Sequence, residues 1–543
     1  MPLPPVTDEL IEANYSARLW QPRPLYEVID QTALARPDAP AVSDQHERLS
    51  YSELVGRSHA LADFLLKLGL KPGAAVALQT PNRTALAITH LACDRADLLF
   101  IPLSTSWRHS ELSHLLATAN AEVVIVPQAS KEADFVATIA DLRSQLPMLK
   151  HLGTLDGDAP DADFDFAQVS RRGKTIAVRQ RDPNMPRYAM VSSGTTELPR
   201  ISLWSDNNLW CFMQAFIKDV QLTADDVAIS IGPANTGALG YVFAVLGPLL
   251  AGASSVLLEN WSPEAALKLM DRERVTMATA VPTQVIKMLQ YEKVADFNYT
   301  SLRVFTTAGA PLPPHTAEAM ETVFGCTNHI LYGTTDGGAA ASTSVTDPTE
   351  KRYSTVGRVL DGNEVRLLDT RGRHVAPGES GEICWRSPTK SFGYLNDPER
   401  TQEAFDAEGF YHSGDLGRID DDGYLSIVGR AKDMIIRGGQ NISPQELENL
   451  LSRHPAVAEV AILGMPDPLY GERVCACVAL RPGESLALEG VTDFLRREQV
   501  ATFKLPERLE IFAEMPKNAG GKIRKVDLRA TVEQRRKQVE TTG

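Results

Sequence analysis

DVAISIG at 226–232, SVLLEN at 255–260, MATAVP at 277–282 and LRVFTTAG at 302–309 decide the fold. Each is a short β-rich run, and the stretches between them have the apolar spacing of helices. SPEAALKLMDRE is one such stretch, where Ser262 supplies an N-cap and Pro263 a first-turn proline. Strands alternating with helices predict a parallel sheet.

Working outward, the same alternation fills the first 190 residues. YSELVGRSHALADFLLKLGL reads as helix, and AAVALQT, LLFIPLS and EVVIVPQ read as strands. After Glu350 the character changes to EVRLLD, GEICWR and GYLSIVG between Asp-Gly and Gly-rich corners, which predicts a small antiparallel or barrel-like subdomain. From Asp433 a fresh α+β pattern begins, with SPQELENLLSRH as helix, VAEVAIL and RVCACVAL as strands, and a second helix near Val491 to Glu498. The expected architecture is α/β. A large N-terminal domain over 1–431, made of two α/β subdomains and the small β subdomain, precedes a small α+β C-terminal domain over 432–543. A chain of 543 residues is too long for one core, which agrees.

Composition excludes several classes. With 43% hydrophobic and 23% charged residues the chain matches a packed globular protein and not a disordered one. A net charge of −14 without a basic stripe disfavours nucleic acid. In the C-terminal basic cluster Lys522, Arg524, Lys525, Arg529, Arg535, Arg536 and Lys537, the last four are expected to be mainly a solvated helix face. The apolar run Val242 to Leu258 is broken by Pro248 and four small residues, so it predicts a buried helix-loop-strand and no membrane span. The start, MPLPPVTDEL, lacks a basic patch and apolar stretch, so a cytoplasmic location is expected. Six cysteines without CxxC spacing predict free thiols, with Cys475 and Cys477 as packing residues on one strand face.

Five stretches carry chemistry. Ser192, Ser193, Gly194, Thr195, Thr196, Glu197, Leu198, Pro199 and Arg200 follow a strand-like run. Glycine there admits backbone N–H groups to phosphate oxygens, and the hydroxyls add donors. The spacing is not that of a Walker loop. Tyr332-Gly333-Thr334-Thr335-Asp336 and Gly409-Phe410-Tyr411-His412-Ser413-Gly414-Asp415 each end in a carboxylate, a group that holds Mg²⁺ or accepts from ribose hydroxyls. GRAKDMIIRGGQNISPQELE (429–448) and PKNAGGKIRK (516–525) complete the set.

In this order and spacing the five stretches resemble the adenylate-forming superfamily of acyl-CoA synthetases, peptide-synthetase adenylation domains and beetle luciferases, over essentially the whole chain. The resemblance implies ATP-dependent activation of a carboxylic acid to an acyl-adenylate, then thioester formation with coenzyme A. It implies that Ser192 to Arg200 wrap the β- and γ-phosphates, that Thr335 touches the α-phosphate, and that Asp336 holds Mg²⁺ where the family has glutamate. Ala308, Gly309 and Ala310 match the adenine segment, Tyr332 the base-stacking position beside Gly333, and Asp415 and Arg430 the ribose and phosphate contacts. Lys522 matches the lysine that bridges carboxylate and α-phosphate. Lys432 matches the hinge, after whose rotation Arg437, Gly438 and Gly439 line the approach of the thiol.

Departures from the family pattern shape the remaining expectations. Glu197 puts an acid beside the triphosphate, which is expected to weaken ATP binding unless Arg200 or Mg²⁺ offsets it. Ser205-Asp206 replaces a Ser/Thr-His pair. Small residues at the acyl pocket, with Asn235 and Gly237 on one segment and Gly338 within Gly337–Ala340 on another, predict room for a bulky aryl or polycyclic natural-product acid. Tight packing is the competing explanation. Two alternatives stand beside the acyl-CoA synthetase: an adenylating enzyme that loads a carrier-protein thiol or a partner enzyme, and a catalytically silent nucleotide- or partner-binding relative.

Overall fold

The four runs of 226–311 pair in parallel. In the computed structural model, which describes residues 7–128, 133–171, 178–192, 198–235, 238–517 and 523–542, Val227–Ser230 lies between Ser254–Leu257 and Met277–Ala280, and Val304–Ala308 adds beyond the latter. Thr327–Thr334 continues the parallel run, and Gly338–Ser342 turns back antiparallel to it. Arg358–Val359 pairs beyond it, and Pro40–Ser43 and Arg48–Ser50 extend the other edge, giving nine strands. Met277–Ala280 and Val304–Ala308 are buried along their whole length, as expected for parallel strands covered on both faces.

A second sheet of seven strands holds Ala75–Gln79, Leu99–Leu103, Val123–Val126 and His151–Thr154, with Phe164–Asp165 at one edge. Its other edge is the antiparallel hairpin Pro186–Ser192 and Arg200–Ser205. Helix Tyr51–Lys67 starts on a reciprocal cap between Ser50 and Glu53 and packs on helix Ala85–Ala96. The latter is buried on every side, which a helix accepts only when it lies inside the molecule. Its Asp94 shares the buried Arg181 with Asp206, and Asp206 also accepts from the N–H of Leu25 at 3.0 Å. Burial raises the pKa of both carboxyls, Asp206 to about 7. Asp206, the departure from the family pair, is thus a packing lock at the start of helix Asp206–Val220, capped by Ser205.

The segment Val242 to Leu258 is buried helix, loop and strand, as its small residues predict, and Ala238–Leu246, which leads into it, winds as a wide π-helix. Beyond it, Glu364–Leu368, Gly381–Arg386, Tyr411–Ile419 and Leu425–Arg430 form a four-stranded antiparallel sheet. The small C-terminal domain has a five-stranded sheet built on Val457–Asp467 and Gly471–Leu480, flanked by helices Pro444–Leu451, Leu488–Arg497 and Lys525–Thr542.

Cys475 and Cys477 pack with Met465, Leu528 and Val532 under that last helix, and all six cysteines are free and buried. Among the described residues no helix is long and apolar enough to cross a membrane. The basic face of the last helix is only partly solvated. Arg535 pairs with Glu510 at 2.8 Å and lies over Phe512, and Arg536 donates to the Pro466 carbonyl at 3.2 Å. The helix is pinned to the sheet by the charges that the sequence assigns to solvent.

Candidate active site

The phosphate loop is the connection of a hairpin. Ser192 and Arg200 are cross-strand partners at its base. Ser193, Gly194, Thr195, Thr196 and Glu197 lie outside the described residues, as do Gly237 and Lys522. Arg200 places its guanidinium over the ring of Tyr394, 5.5 Å from the centroid.

Asp336 faces the same strand. Its Oδ1 accepts from Ser202 Oγ at 2.5 Å and from Thr335 Oγ1 at 3.4 Å. Burial and the Asp336 carboxylate together hold the Tyr394 hydroxyl well above its ordinary pKa, so it stays protonated and can donate. The side-chain atoms around the Asp336 carboxylate that could ligate a metal are oxygens, the set that suits Mg²⁺ and does not suit a soft metal. Asp336 would hold the ion, which neutralises phosphate charge when bound. Trp204 Nε1 donates to the Thr335 carbonyl at 3.2 Å and fixes the turn between strands.

One turn further, Asp415 is buried with both oxygens engaged: Oδ2 accepts from Tyr332 Oη at 2.9 Å and Oδ1 from Arg430 Nε at 2.9 Å. The register of the small antiparallel sheet sets Arg430 opposite Asp415. A carboxylate has about four acceptor positions, so two remain for ribose hydroxyls. Tyr332 packs edge-on against Trp385 at 5.7 Å, which orients the ring beside Gly333. Ala308 ends its strand, and Gly309 turns the chain toward Ala310 with φ +87°, a conformation that favours glycine.

Gly338 is closed by packing. Its φ is +79°, and a Cβ there would lie 2.4 Å from the Thr389 carbonyl oxygen. A Cβ at Gly337 would meet Tyr411 at 2.4 Å, and Ala339 and Ala340 are fully buried. The smallness of this segment serves close packing, the competing explanation to a pocket at Gly338.

Asn235 stands in a different setting. It lines a cleft of about 360 Å³ with Asn82, Trp261, Gln284, Lys287 and Lys517 among the walls. Asn235 is buried, its Nδ2 donates to the Thr80 carbonyl, and its Oδ1 has no partner among the described residues. Lys517, from the small domain, stands five residues before Lys522 and carries the start of that last motif to the large domain. Gly438 and Gly439, by contrast, form the exposed tip of the hairpin Ile435–Arg437 and Gln440–Ile442, with φ of +54° and +81°. Lys432 lies exposed in the single turn Ala431–Asp433 between the two sheets.

Sequence reading did not single out Ser202, Tyr394, Asn82, Trp261 or Lys517. Their partners are remote in sequence, 134 residues in the case of Ser202 and Asp336. No local pattern marks them.

Two α/β sheets, a small C-terminal domain and a carboxylate beside the hairpin base at Ser192 and Arg200 fit a nucleotide-dependent acid-activating ligase. The comparisons make the assignment specific. The AMP-binding enzyme family model matches residues 29–395, and the AMP-binding enzyme C-terminal domain matches 446–522. The medium-chain fatty-acid–CoA ligase of Escherichia coli is 33% identical over 95% of this chain and 92% of its own length. The 2-hydroxy-7-methoxy-5-methyl-1-naphthoate–CoA ligase of Streptomyces carzinostaticus is 32% identical over 97% and 96%. The ATP-bound structure of MatB from Rhodopseudomonas palustris superposes with a TM-score of 0.83 at 28% identity, over 94% of this chain and 99% of that one. The chain belongs to the adenylate-forming superfamily, in the acyl-CoA synthetase branch, and is an adenylate-forming ligase.

Proposed function

We propose that this ligase activates an aromatic carboxylic acid and transfers the acyl group to coenzyme A. The observation that carries the reading is Asn235, a buried amide whose oxygen has no partner among the described residues, at a cleft large enough for a ring. An amide oxygen accepts, so the acid it suits bears an O–H or N–H beside its carboxylate. The naphthoate relative is named for a 2-hydroxy acid, and salicyl- and dihydroxybenzoate-AMP ligases are also similar to this chain.

In the first half-reaction the acid's carboxylate oxygen bonds to the α-phosphorus of ATP and pyrophosphate leaves. Two anions must meet, and an ammonium placed near both offsets a repulsion on the order of 4 kcal/mol at an effective dielectric of about 20. Lys522 is assigned that role, Thr335 the α-phosphate contact, and Ser192 to Thr196 with Arg200 the outer phosphates. Asp415 and Arg430 hold the ribose, and Tyr332, Gly333 and Ala308–Ala310 the adenine. In the second half-reaction a thiolate attacks the acyl carbon and AMP leaves. For that step the small domain, 432–543, turns about Lys432 and presents Gly438 and Gly439, whose lack of side chains permits close passage of the pantetheine arm.

The test is acid-dependent ATP–pyrophosphate exchange over a panel of aryl, ortho-hydroxyaryl, polycyclic and linear acids, with mass-spectrometric detection of acyl-CoA. Exchange with ortho-hydroxyaryl acids and a coenzyme A thioester is expected. Exchange without thioester, rescued by a phosphopantetheinyl carrier protein, would instead establish the carrier-loading reading that the salicyl-S-ArCP synthetase relative favours. Exclusive use of linear acids would overturn the aromatic assignment.

A further inference from the structure

Two loops, one from each large-domain sheet, are stitched together beside the cleft, and we infer that Asn82 is the positioning residue that holds Asn235 against the acid. This rests on the reading of Asn235 as an acid-facing group. Asn82 follows strand Ala75–Gln79 and is buried. Its side chain makes all three of its hydrogen bonds to main chain of the other sheet: Nδ2 donates to the carbonyls of Gly232 at 2.9 Å and Leu258 at 3.0 Å, and Oδ1 accepts from the N–H of Ala234 at 2.7 Å. Asn235 returns the contact through Nδ2 to Thr80.

The loop 232–235 is also seated from below. Ser230 Oγ donates to the Gly240 carbonyl at 2.6 Å, and Gly240 lies so close that a Cβ there would be 2.3 Å from the Pro233 oxygen. Fixed on one side by Gly240 and on the other by Asn82, the loop gives Asn235 one position. Among the described residues, every polar atom of the two asparagine side chains is then engaged except Asn235 Oδ1, the one left for a ligand.

No other residue at 82 reproduces this. Aspartate keeps the acceptor for Ala234 but sets a carboxylate against two carbonyl oxygens, glutamine is a methylene too long, and alanine removes all three bonds. Substitution should therefore act on the acid and spare the nucleotide, because the residues assigned to ATP lie on other loops.

The experiment measures KM for the acid and for ATP by pyrophosphate exchange, with thermal melting, in the unsubstituted enzyme, Asn82→Ala, Asn82→Asp, Asn235→Ala and the Asn82→Ala/Asn235→Ala double variant. Asn82→Ala should raise KM for the acid by about tenfold or more while KM for ATP stays within about twofold. The isosteric Asn82→Asp should show the same split, which covers the case in which alanine impairs folding. In the Asn235→Ala background Asn82→Ala should add little to KM for the acid, since residues acting as a unit are not additive. Equal rises in both KM values, or multiplicative effects in the double variant, would overturn the inference. If Asn235→Ala raises KM for the acid and neither Asn82 variant does, only this inference fails. If Asn235→Ala leaves that KM unchanged, the acid-facing reading of Asn235 fails and takes this inference with it.

Discussion

At the scale of single residues, the shortened carboxylate at 336 is answered by a neighbour. Aspartate reaches one methylene less far than glutamate, and Ser202 from the facing strand donates to it at 2.5 Å. A hydrogen bond to a charged group is worth about 1.5–3 kcal/mol, so Ser202→Ala should raise the Mg²⁺ concentration for half-maximal exchange about tenfold. Titration of exchange activity with Mg²⁺ checks this; an unchanged midpoint would mean that Ser202 does not orient Asp336. Gly338 allows a contrasting test. Alanine there must adopt a left-handed backbone and push Thr389, so Gly338→Ala should destabilise the fold by about 2–4 kcal/mol without reordering preference among acids. Melting curves and the acid panel, run together, separate this from a pocket role, which would reorder the acids at unchanged stability.

At the scale of elements, strand Thr327–Thr334 carries Tyr332 and Gly333 at its end and a buried histidine in its middle. Burial pushes the His329 pKa down to about 3, from an ordinary 6.5, with Thr306 its hydrogen-bond partner. The folded state thus refuses a proton that the unfolded chain takes up below pH 6.5. Its contribution to stability is complete above pH 6.5 and is lost as pH falls toward 3, at up to about 1.4 kcal/mol per pH unit. His90, neutral by burial in helix Ala85–Ala96, acts in the same direction. His329→Asn should flatten the fall of urea midpoints between pH 7 and pH 5; a slope unchanged by the substitution would assign acid lability elsewhere. Most elements of this kind were legible in the sequence, because Val227–Ser230, Met277–Ala280 and Val304–Ala308 are β-rich runs between punctuated helices. The π-helix Ala238–Leu246 was not, since its winding accompanies the close approach of Gly240 to Pro233, a contact that no periodicity encodes. The site divides in the same way. Tyr332, Asp336 and Asp415 belong to Gly-containing stretches that sequence exposes, whereas Ser202 and Asn82 work through partners remote in sequence. Gly338 is ambiguous in sequence for a related reason: a small residue reads alike whether it makes room or packs tightly.

At the scale of the whole molecule, the two ends of the small domain are in different places. Lys517 lines the cleft that holds Asn235, while Gly438 and Gly439 sit at an exposed hairpin tip. If Lys522 serves adenylation and the glycines serve thiol transfer, both cannot reach the site at once, and the chain must turn between Arg430 and Met434. Residues 431–433 form a single 3₁₀ turn, a conformation with φ generally about −50 to −70°, which proline accepts. Proline at the proposed hinge would fit the present arrangement and resist a change of φ at that residue. Lys432→Pro should therefore retain acid-dependent pyrophosphate exchange and lose thioester formation. Acyl-adenylate would accumulate on the enzyme, detectable by mass spectrometry after denaturation. Equal loss of both half-reactions would indicate that the substitution disturbs the fold, and retention of both would place the rotation at another residue, with Ala431 and Asp433 the next positions to replace.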